Sequence, residues 1–583
     1  HHIIKIVMNK FNLFKYLFFC LLFSLCLNSQ VSNNKPLNVI WISCEDMGPI
    51  LSAYGNSTIK TPNIDRLANQ GVKYTNAYST VGVCAPSRFS IITGMYPARL
   101  GAHNMRTGDD NDFKWPEDVK IREDKGVLDK LGNNVPDYEV VTPDYVKPFT
   151  EYLRAEGFYC VNDNKCDYQF NAPFTAWDDV YGGGSYKNAP TGTPFFYVKN
   201  FYTTHESRIW RRKNKPMTVS PVDVPIPDYY PDLPVVREGI ARKYSNIEAF
   251  DKEVGELLNQ FEVDGVLDNS IIFFWSDHGG NLLRQKRAVG NSGLHVPLIV
   301  RYPDGFRAGQ TDSRMVSLMD LGPTVMSLMG IKPPTYMDGK AFAGKFEDNP
   351  RTYIFGSADR FDESTDMQRS VLDGRYVYIK NFMPHLPLIY RNKYREQIPM
   401  NKQLIELNTK GVLEGDAAYI FMQNKPFEEL YDLSSDPYEV NNLADNPNFI
   451  DKLLELRNQL SQWQIDINDR GFTPESELIK EFWPNMVQPI TSNVIMKRQG
   501  GKAILTCKTK GSSIAFQTGD AIESDYWQLY TTPINLKNNE KIRARAIRIG
   551  YKASNILFAL PNFCIRVRSI VFMLISCKAI SRN

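Results

Sequence analysis

The sequence predicts an α/β protein built on a mostly parallel sheet between helices, with a smaller C-terminal α+β subdomain and an appended β module. Three observations carry this reading. The runs Asn38–Cys44 (NVIWISC) and Ser270–Ser276 (SIIFFWS) are nearly continuous in apolar character, as strands buried on both faces tend to be. Helical patterns separate such runs, among them the long amphipathic stretch from Tyr244 to Phe261. From about residue 487 the texture turns to alternating, turn-rich sequence, which reads as small antiparallel sheet.

Composition sets the limits. The chain has 583 residues, 43% hydrophobic and 23% charged, which allows three or four domains and excludes a disordered or multispan membrane protein. Sixty-eight basic against 65 acidic residues leave a net charge of +3, no electrostatic footprint for nucleic acid. Nine cysteines are scattered without a disulfide framework. Cys160 and Cys166 lack C-x-x-C spacing and a second pair, so they do not read as a zinc site.

Taken in order, residues 1–30 read as a leader. Lys10 and Lys15 precede the apolar stretch from Tyr16 to Leu27, and Asn28, Ser29 and Gln30 follow, the layout of a secretory signal. His1 to Val7 lie ahead of a plausible start at Met8. The apolar stretch is shorter than the roughly 20 residues of a bilayer span, so export without a permanent anchor is expected. Residues 36–345 form the expected catalytic domain. Its first strand ends in Glu45 and Asp46, and Thr61, Pro62, Ile64, Leu67, Ala68 and Gly71 read as a capped helix closed by glycine. Pro86 suits the first turn of a second helix, with Ile91 and Ile92 on a buried side and Gly94 as its stop. Cys84 then sits at a helix amino terminus, where unpaired N–H groups favour an anion. The Ser270–Ser276 strand runs into Asp277 and His278. In open parallel sheets ligands bind beyond the carboxyl ends of the strands, so the two pairs are expected to face one site. Residues 346–486 read as the C-terminal subdomain, 487–555 as an accessory β module without catalysis, and 556–583 as an atypical tail.

The run Cys84-Ala85-Pro86-Ser87-Arg88, followed by Thr93 and Gly94, resembles the C-x-P-S-R signature of the type I, formylglycine-dependent sulfatases of the alkaline phosphatase superfamily. With SCEDM, NDNKCDYQF and TTHES, the chain is most similar to bacterial carbohydrate sulfatases related to heparan N-sulfatase. The resemblance implies an alkaline-phosphatase-like mixed, mostly parallel sheet, and a formylglycine-generating maturation enzyme that oxidises Cys84. It implies Glu45, Asp46, Asp277 and His278 as metal ligands, completed by the oxygen from position 84. Glu45 stands where the family has Asp. Ca2+ suits the oxygen-rich set, with Mg2+ second. Arg88, Lys165 and Lys286 are the implied cations around the sulfate, although Arg284 and Arg287 flank Lys286 and Asp167 stands where the family usually has histidine. His205 resembles the histidine that contacts the sulfate ester and is the candidate acid. His103 and Arg106 are candidates for substrate binding, whereas His295 and His385 read as structural. The segment from Glu429 to Pro447 resembles the crossing into the C-terminal subdomain.

The implied reaction is hydrolysis of a sulfate ester on a carbohydrate: one hydroxyl of the formylglycine hydrate attacks sulfur, an acid protonates the leaving alcohol, and the second hydroxyl then collapses to the aldehyde and expels sulfate. An Asn-, Lys-, Ile-, Phe- and Tyr-rich chain with a leader suits a Gram-negative bacterium of the Bacteroidota type, and algal ulvan is the expected source of substrate. Carrageenan and heparan-type glycans come next. Two alternatives differ in class. A phosphatase or phosphodiesterase of the superfamily would present Ser or Thr and a His-rich zinc site, and only seven histidines exist in the chain. If Cys84 is never oxidised, the chain is a non-catalytic glycan-binding protein.

Overall fold

The computed structural model describes residues 37–105, 107, 127–180, 183–519, 522, 526–537 and 540–559. The leader, Arg106 and the tail beyond residue 559 lie outside them. The main sheet has eight strands: β1 (Asn38–Cys44), β2 (Gly71–Tyr78), β3 (Tyr159–Asp163), β4 (Asp179–Val180), β5 (Phe195–Phe201), β6 (Ser270–Ser276), β7 (His295–Arg301) and β8 (Gln310–Ser317). They lie in the order β8-β2-β7-β6-β1-β5-β3-β4. All neighbours run parallel except β7, which is antiparallel to both β2 and β6. The sheet is therefore mixed and mostly parallel.

The continuous apolar character of β1 has a direct structural cause. Successive side chains point to opposite faces of a strand, and here both faces are covered. Val39 and Trp41 join one core cluster with Phe149, Phe196, Phe273 and Trp275, while Ile40 and Ile42 join another with Phe250, Ile272 and Phe274. Ring contacts lock the first cluster: Trp41 meets Phe196 edge-on at 4.9 Å and Trp275 edge-on at 5.4 Å.

Helix α1 (Pro62–Gln70) packs Ile64, Leu67 and Ala68 inward. Gly71 does not close it in a left-handed turn, for its backbone is extended and it begins β2 directly. Helix α2 (Cys84–Thr93) is buried along its whole length and ends at Gly94, which takes φ 68° and donates its N–H to Ser90. That left-handed conformation suits glycine. Helix α3 (Pro234–Val263) starts ten residues before the Tyr244 that opens the amphipathic stretch. Its first turns also bury Val236, Ile240 and Ala241, and proline is compatible with a first turn.

Beyond the main sheet, four antiparallel strands (Ile354–Ala358, Gln368–Leu372, Tyr376–Asn381 and Glu428–Asp432) form a second sheet. The helix Ile450–Asp466 lays Leu453, Leu456, Leu460 and Trp463 against Val371, Tyr378 and Leu430 of that sheet. Two small antiparallel sheets occupy residues 495–559. They are tied to the main body by Lys147, which donates to the Gly511 carbonyl at 2.6 Å, and by Arg154, which donates to the Trp527 carbonyl at 2.6 Å. Among the described residues no helix is long and apolar enough to cross a membrane.

Candidate active site

The site is assembled by strand pairing. β1 and β6 lie side by side and parallel, with Cys44 opposite Ser276, so Glu45-Asp46 and Asp277-His278 leave the sheet together. The Asp277 N–H donates to the Cys44 carbonyl at 3.1 Å, and the Asp46 N–H donates to Asp277 Oδ1 at 3.1 Å. Asp46 takes a left-handed φ of 55°, a conformation that Asp tolerates better than most residues. Helix α2 points its first turn at this corner, and Ser87 Oγ donates to the Asp277 carbonyl.

Cys84, the first residue of α2, lies at the centre. Its Sγ is 3.4 Å from His278 Nε2, 3.7 Å from Glu45 Oε2 and 3.8 Å from Asp46 Oδ1. Ligand atoms of Asp46, Cys84, Asp277 and His278 lie within 4.8 Å of one another, as do those of Glu45, Asp46, Cys84 and His205. All of these residues are buried. A buried cluster of three carboxylates flanked by two imidazoles is a costly arrangement without positive charge among it, and its oxygen-rich donor chemistry suits a hard cation.

Three side-chain cations surround the cluster. Arg88 donates from Nε to Asp277 Oδ2 at 3.2 Å and from Nη2 to Glu45 Oε1 at 2.9 Å. Lys165 reaches Glu45 Oε2 at 2.7 Å and Asp167 at 3.2 Å. Lys286 reaches both Asp46 oxygens, at 2.7 and 2.9 Å, and Glu206 at 3.1 Å. Its neighbours are engaged elsewhere, Arg284 with the Glu439 carbonyl and Arg287 with Glu206 and Asp362. Of the three basic residues, Lys286 is therefore the one that contacts Asp46.

Electrostatics follow from burial and these pairs. Burial would raise the Asp46 pKa, but Lys286, His205 and His278 outweigh it and hold the carboxyl well below its usual range. Burial likewise opposes the ionised form of Asp277, and His278, Arg88 and Lys165 prevail to lower it. The Cys84 thiol goes the other way, because burial pushes it well above its ordinary value despite Lys165 and Lys286. It is thus a neutral thiol and a poor nucleophile as it stands. Burial, then Lys286, press His205 down to about 4.

His205 lies with Nε2 3.3 Å from Lys286 Nζ, while its Nδ1 accepts from the Ser207 N–H at 3.2 Å. His103 is buried, with Nδ1 lacking a hydrogen-bond partner among the described residues. Its pKa falls to about 3 through burial and then Arg369, and Asp469, Glu475 and Lys130 also act on it. These are not the groups around Cys84. Arg106 lies outside the described residues. His295 stacks on Tyr78 at 4.8 Å and its Nε2 lies 2.8 Å from the Thr75 carbonyl.

Two residues at the heart of the cluster have no sequence signal that marks them. Asn200, near the end of β5 and opposite Ser43, accepts from Arg88 at 2.7 Å and donates to Glu45 at 2.9 Å. The Glu206 N–H donates to Asp46 Oδ2 at 2.7 Å, and its carboxylate sits between Lys286 and Arg287. Both act through adjacency to β1, which becomes visible once the strand order is known.

The Sulfatase family model matches residues 37–123 and 145–331. An ulvan-active sulfatase of Formosa agariphila is 39% identical over 555 residues, covering 89% of this chain and 90% of that protein. The human N-sulphoglucosamine sulphohydrolase is 26% identical, over 78% of this chain and 95% of its own length. Among solved structures, a protein in complex with its substrate D-glucosamine-2-N,6-O-disulfate superposes with a TM-score of 0.53 at 16% identity, covering 76% of this chain and all of that one. A buried Asp, Cys and His cluster around Cys84, within a chain matched along almost its whole length, places this protein in the sulfatase family of the alkaline phosphatase superfamily.

Proposed function

We propose that this protein is an exported sulfuric-ester hydrolase that desulfates carbohydrates, foremost oligosaccharides of ulvan, with formylglycine at position 84 and Ca2+ in the carboxylate cluster. Carrageenan and heparan-type glycans are next in order. The observation that carries the reading is Cys84 itself: a buried, neutral thiol at the start of α2, set between metal-competent carboxylates and the cations of Lys165, Lys286 and Arg88. As a thiol it has no evident work there, and as the precursor of an aldehyde hydrate it stands where a nucleophile is needed. The ulvan reading is supported by the name of the Formosa agariphila relative.

The donor set fits Ca2+, with Mg2+ second. Asp46, Asp277 and His278 would hold it, with Glu45 and the oxygen at position 84. When present, the cation supplies Lewis acidity to the ester oxygens and the formylglycine hydrate supplies an oxygen nucleophile. The chain's own residues do the rest. Lys165 and Lys286 are kept charged beside position 84 and donate to sulfate oxygens, where negative charge shifts during the reaction. Arg88 holds Glu45, Asp277 and Asn200 in fixed relation. His205 delivers a proton from Nε2 to the leaving sugar oxygen. Nε2 faces the Lys286 ammonium at 3.3 Å and Nδ1 lies 2.8 Å from the Ser207 hydroxyl, so a proton on Nε2 belongs to the doubly protonated imidazole, the form that a bound sulfate anion favours.

Paired assays with 4-nitrophenyl sulfate and 4-nitrophenyl phosphate test the reaction class. Sulfate is expected to be preferred, and a preference for phosphate would replace this reading with the phosphatase one. A panel of defined sulfated oligosaccharides then tests ulvan against carrageenan and heparan-type substrates.

The role of His205 has its own test. Removal of a general acid hurts substrates in proportion to the basicity of the alcohol they release, since an acidic phenol leaves without help. His205→Ala is expected to lose on the order of 10²-fold or more in kcat/KM on a sugar sulfate but much less on 4-nitrophenyl sulfate. Equal losses on both would leave His205 as a sulfate contact and send the search for the acid to Lys165, since His103 sits among other groups than those around Cys84.

A further inference from the structure

Lys286 belongs to two environments. Its ammonium donates to Asp46 at the site described above, while the side chain also forms part of the wall of a separate cavity. That cavity is partly open to solvent, has a volume of about 50 Å3, and is lined by Arg284, Arg287, Tyr390 and Arg395 together with apolar Leu388 and Ile389.

The charges in this cavity are not balanced alike. Arg287 is paired with Glu206 at 3.0 Å and Asp362 at 2.9 Å, and Lys286 with Asp46 and Glu206. The guanidiniums of Arg284 and Arg395 donate instead to backbone carbonyls, those of Glu439 and Tyr390, but the carboxylates of Glu439 and Glu429 also line the cavity and act on Arg284, which leaves Arg395 as its least compensated cation. Both arginines are buried, Arg284 to 7% exposure and Arg395 to 3%. A buried charge is retained at such a place when a partner repays its lost hydration, and a carbonyl does so less well than an anion. Burial, with Arg287 nearby, pulls Arg395 below the ordinary arginine value.

Unused donors point the same way. Among the described residues the Tyr390 hydroxyl and Arg284 Nε are buried without a hydrogen-bond partner. Buried polar groups left unpaired are uncommon and call for a missing partner. The Arg395 guanidinium stands 5.3 Å from the Tyr390 ring centre, so the arginine and the hydroxyl-bearing ring are in contact. The segment is joined to the reaction site, since Tyr394 lies with its ring 6.2 Å from that of His205.

We propose that this cavity is a subsite for a second anionic group of the substrate, a carboxylate or sulfate on the same or an adjoining sugar, bound by Arg395, Arg284 and the Tyr390 hydroxyl. The inference rests on the sulfatase reading above and adds the class of sugar chain the enzyme selects. A planar guanidinium matches an oxyanion with paired donors, the phenol adds a third, and Leu388 and Ile389 offer surface to the apolar face of a sugar ring.

The test is a selectivity ratio, kcat/KM on a sulfated disaccharide divided by kcat/KM on 4-nitrophenyl sulfate. Three disaccharides are compared: one carrying a uronate, the same compound with its carboxyl reduced to an alcohol, and one carrying a second sulfate instead. In the wild-type enzyme the ratio is expected to fall on the order of 10²-fold when the second anion is removed, mainly through KM. Whichever of uronate and sulfate supports the high ratio identifies the source. Arg395→Gln should bring the ratio for the anionic disaccharide down to that of the reduced one. Tyr390→Phe keeps the ring and loses only the hydroxyl, so it folds, and it should lower the ratio about tenfold. Wild-type indifference to both anions overturns the subsite, and so do variants that lower every substrate alike. If the wild-type enzyme cleaves no sulfate ester at all, the sulfatase reading fails and the subsite falls with it. Turnover without anion preference removes the subsite alone.

Discussion

Cys84→Ala is expected to abolish turnover while leaving the protein folded. The residue is 2% exposed and makes no close hydrogen bond, only sulfur contacts of 3.4 to 3.8 Å to His278, Glu45 and Asp46. Its replacement by a slightly smaller side chain should cost about 1 kcal/mol or less of stability. Its chemistry cannot be replaced, because no other group on α2 faces the carboxylates with an atom that becomes a nucleophile. Loss of a nucleophile that works as a unit with its neighbours removes nearly all of the catalytic effect, so kcat should drop on the order of 10⁴-fold or more. Turnover of 4-nitrophenyl sulfate by the purified variant, with its thermal transition measured alongside, checks both halves. Activity well above background would remove Cys84 from the mechanism.

The second large effect belongs to Asp277→Asn. The amide keeps an oxygen to accept from the Asp46 N–H, now at 3.1 Å, so the junction of β1 and β6 should survive. What is lost is one negative charge among the ligands and the charged partner of Arg88 at 3.2 Å. A cation held by carboxylates depends on that charge, and kcat/KM should fall on the order of 10³-fold. Chelation of the wild-type enzyme should have the same consequence, with Ca2+ restoring activity better than Zn2+. Native stoichiometric zinc by metal analysis would contradict the ligand assignment.

Much of this arrangement was legible in the sequence for definite reasons. The β1 and β6 runs are apolar at every position because both faces of the sheet are covered, so their ends, Glu45-Asp46 and Asp277-His278, could be located to the residue. Position 84 was legible because proline and glycine bracket α2. Other features depend on pairings that no local pattern encodes. The two acidic corners meet as the strand ends led one to expect, but Asn200 and Glu206 enter only because β5 flanks β1 on the other side. The antiparallel β7 was likewise beyond reach, for its apolar run looks the same in either direction. The early start of α3 was missed because Pro234 opens the helix with residues whose burial depends on their neighbours. Lys286 could not be told from its neighbours Arg284 and Arg287 by spacing. Their distinction lies in which of them reaches Asp46.

The most direct test of the central claim is mass spectrometry of the peptide containing Cys84, taken from enzyme that actively cleaves sulfate esters. The account predicts that the active fraction carries an aldehyde at position 84, seen as the exchange of one sulfur for one oxygen with the loss of two hydrogens, and that the share of this form tracks specific activity across preparations. Fully active enzyme in which position 84 is entirely an unmodified cysteine would contradict it.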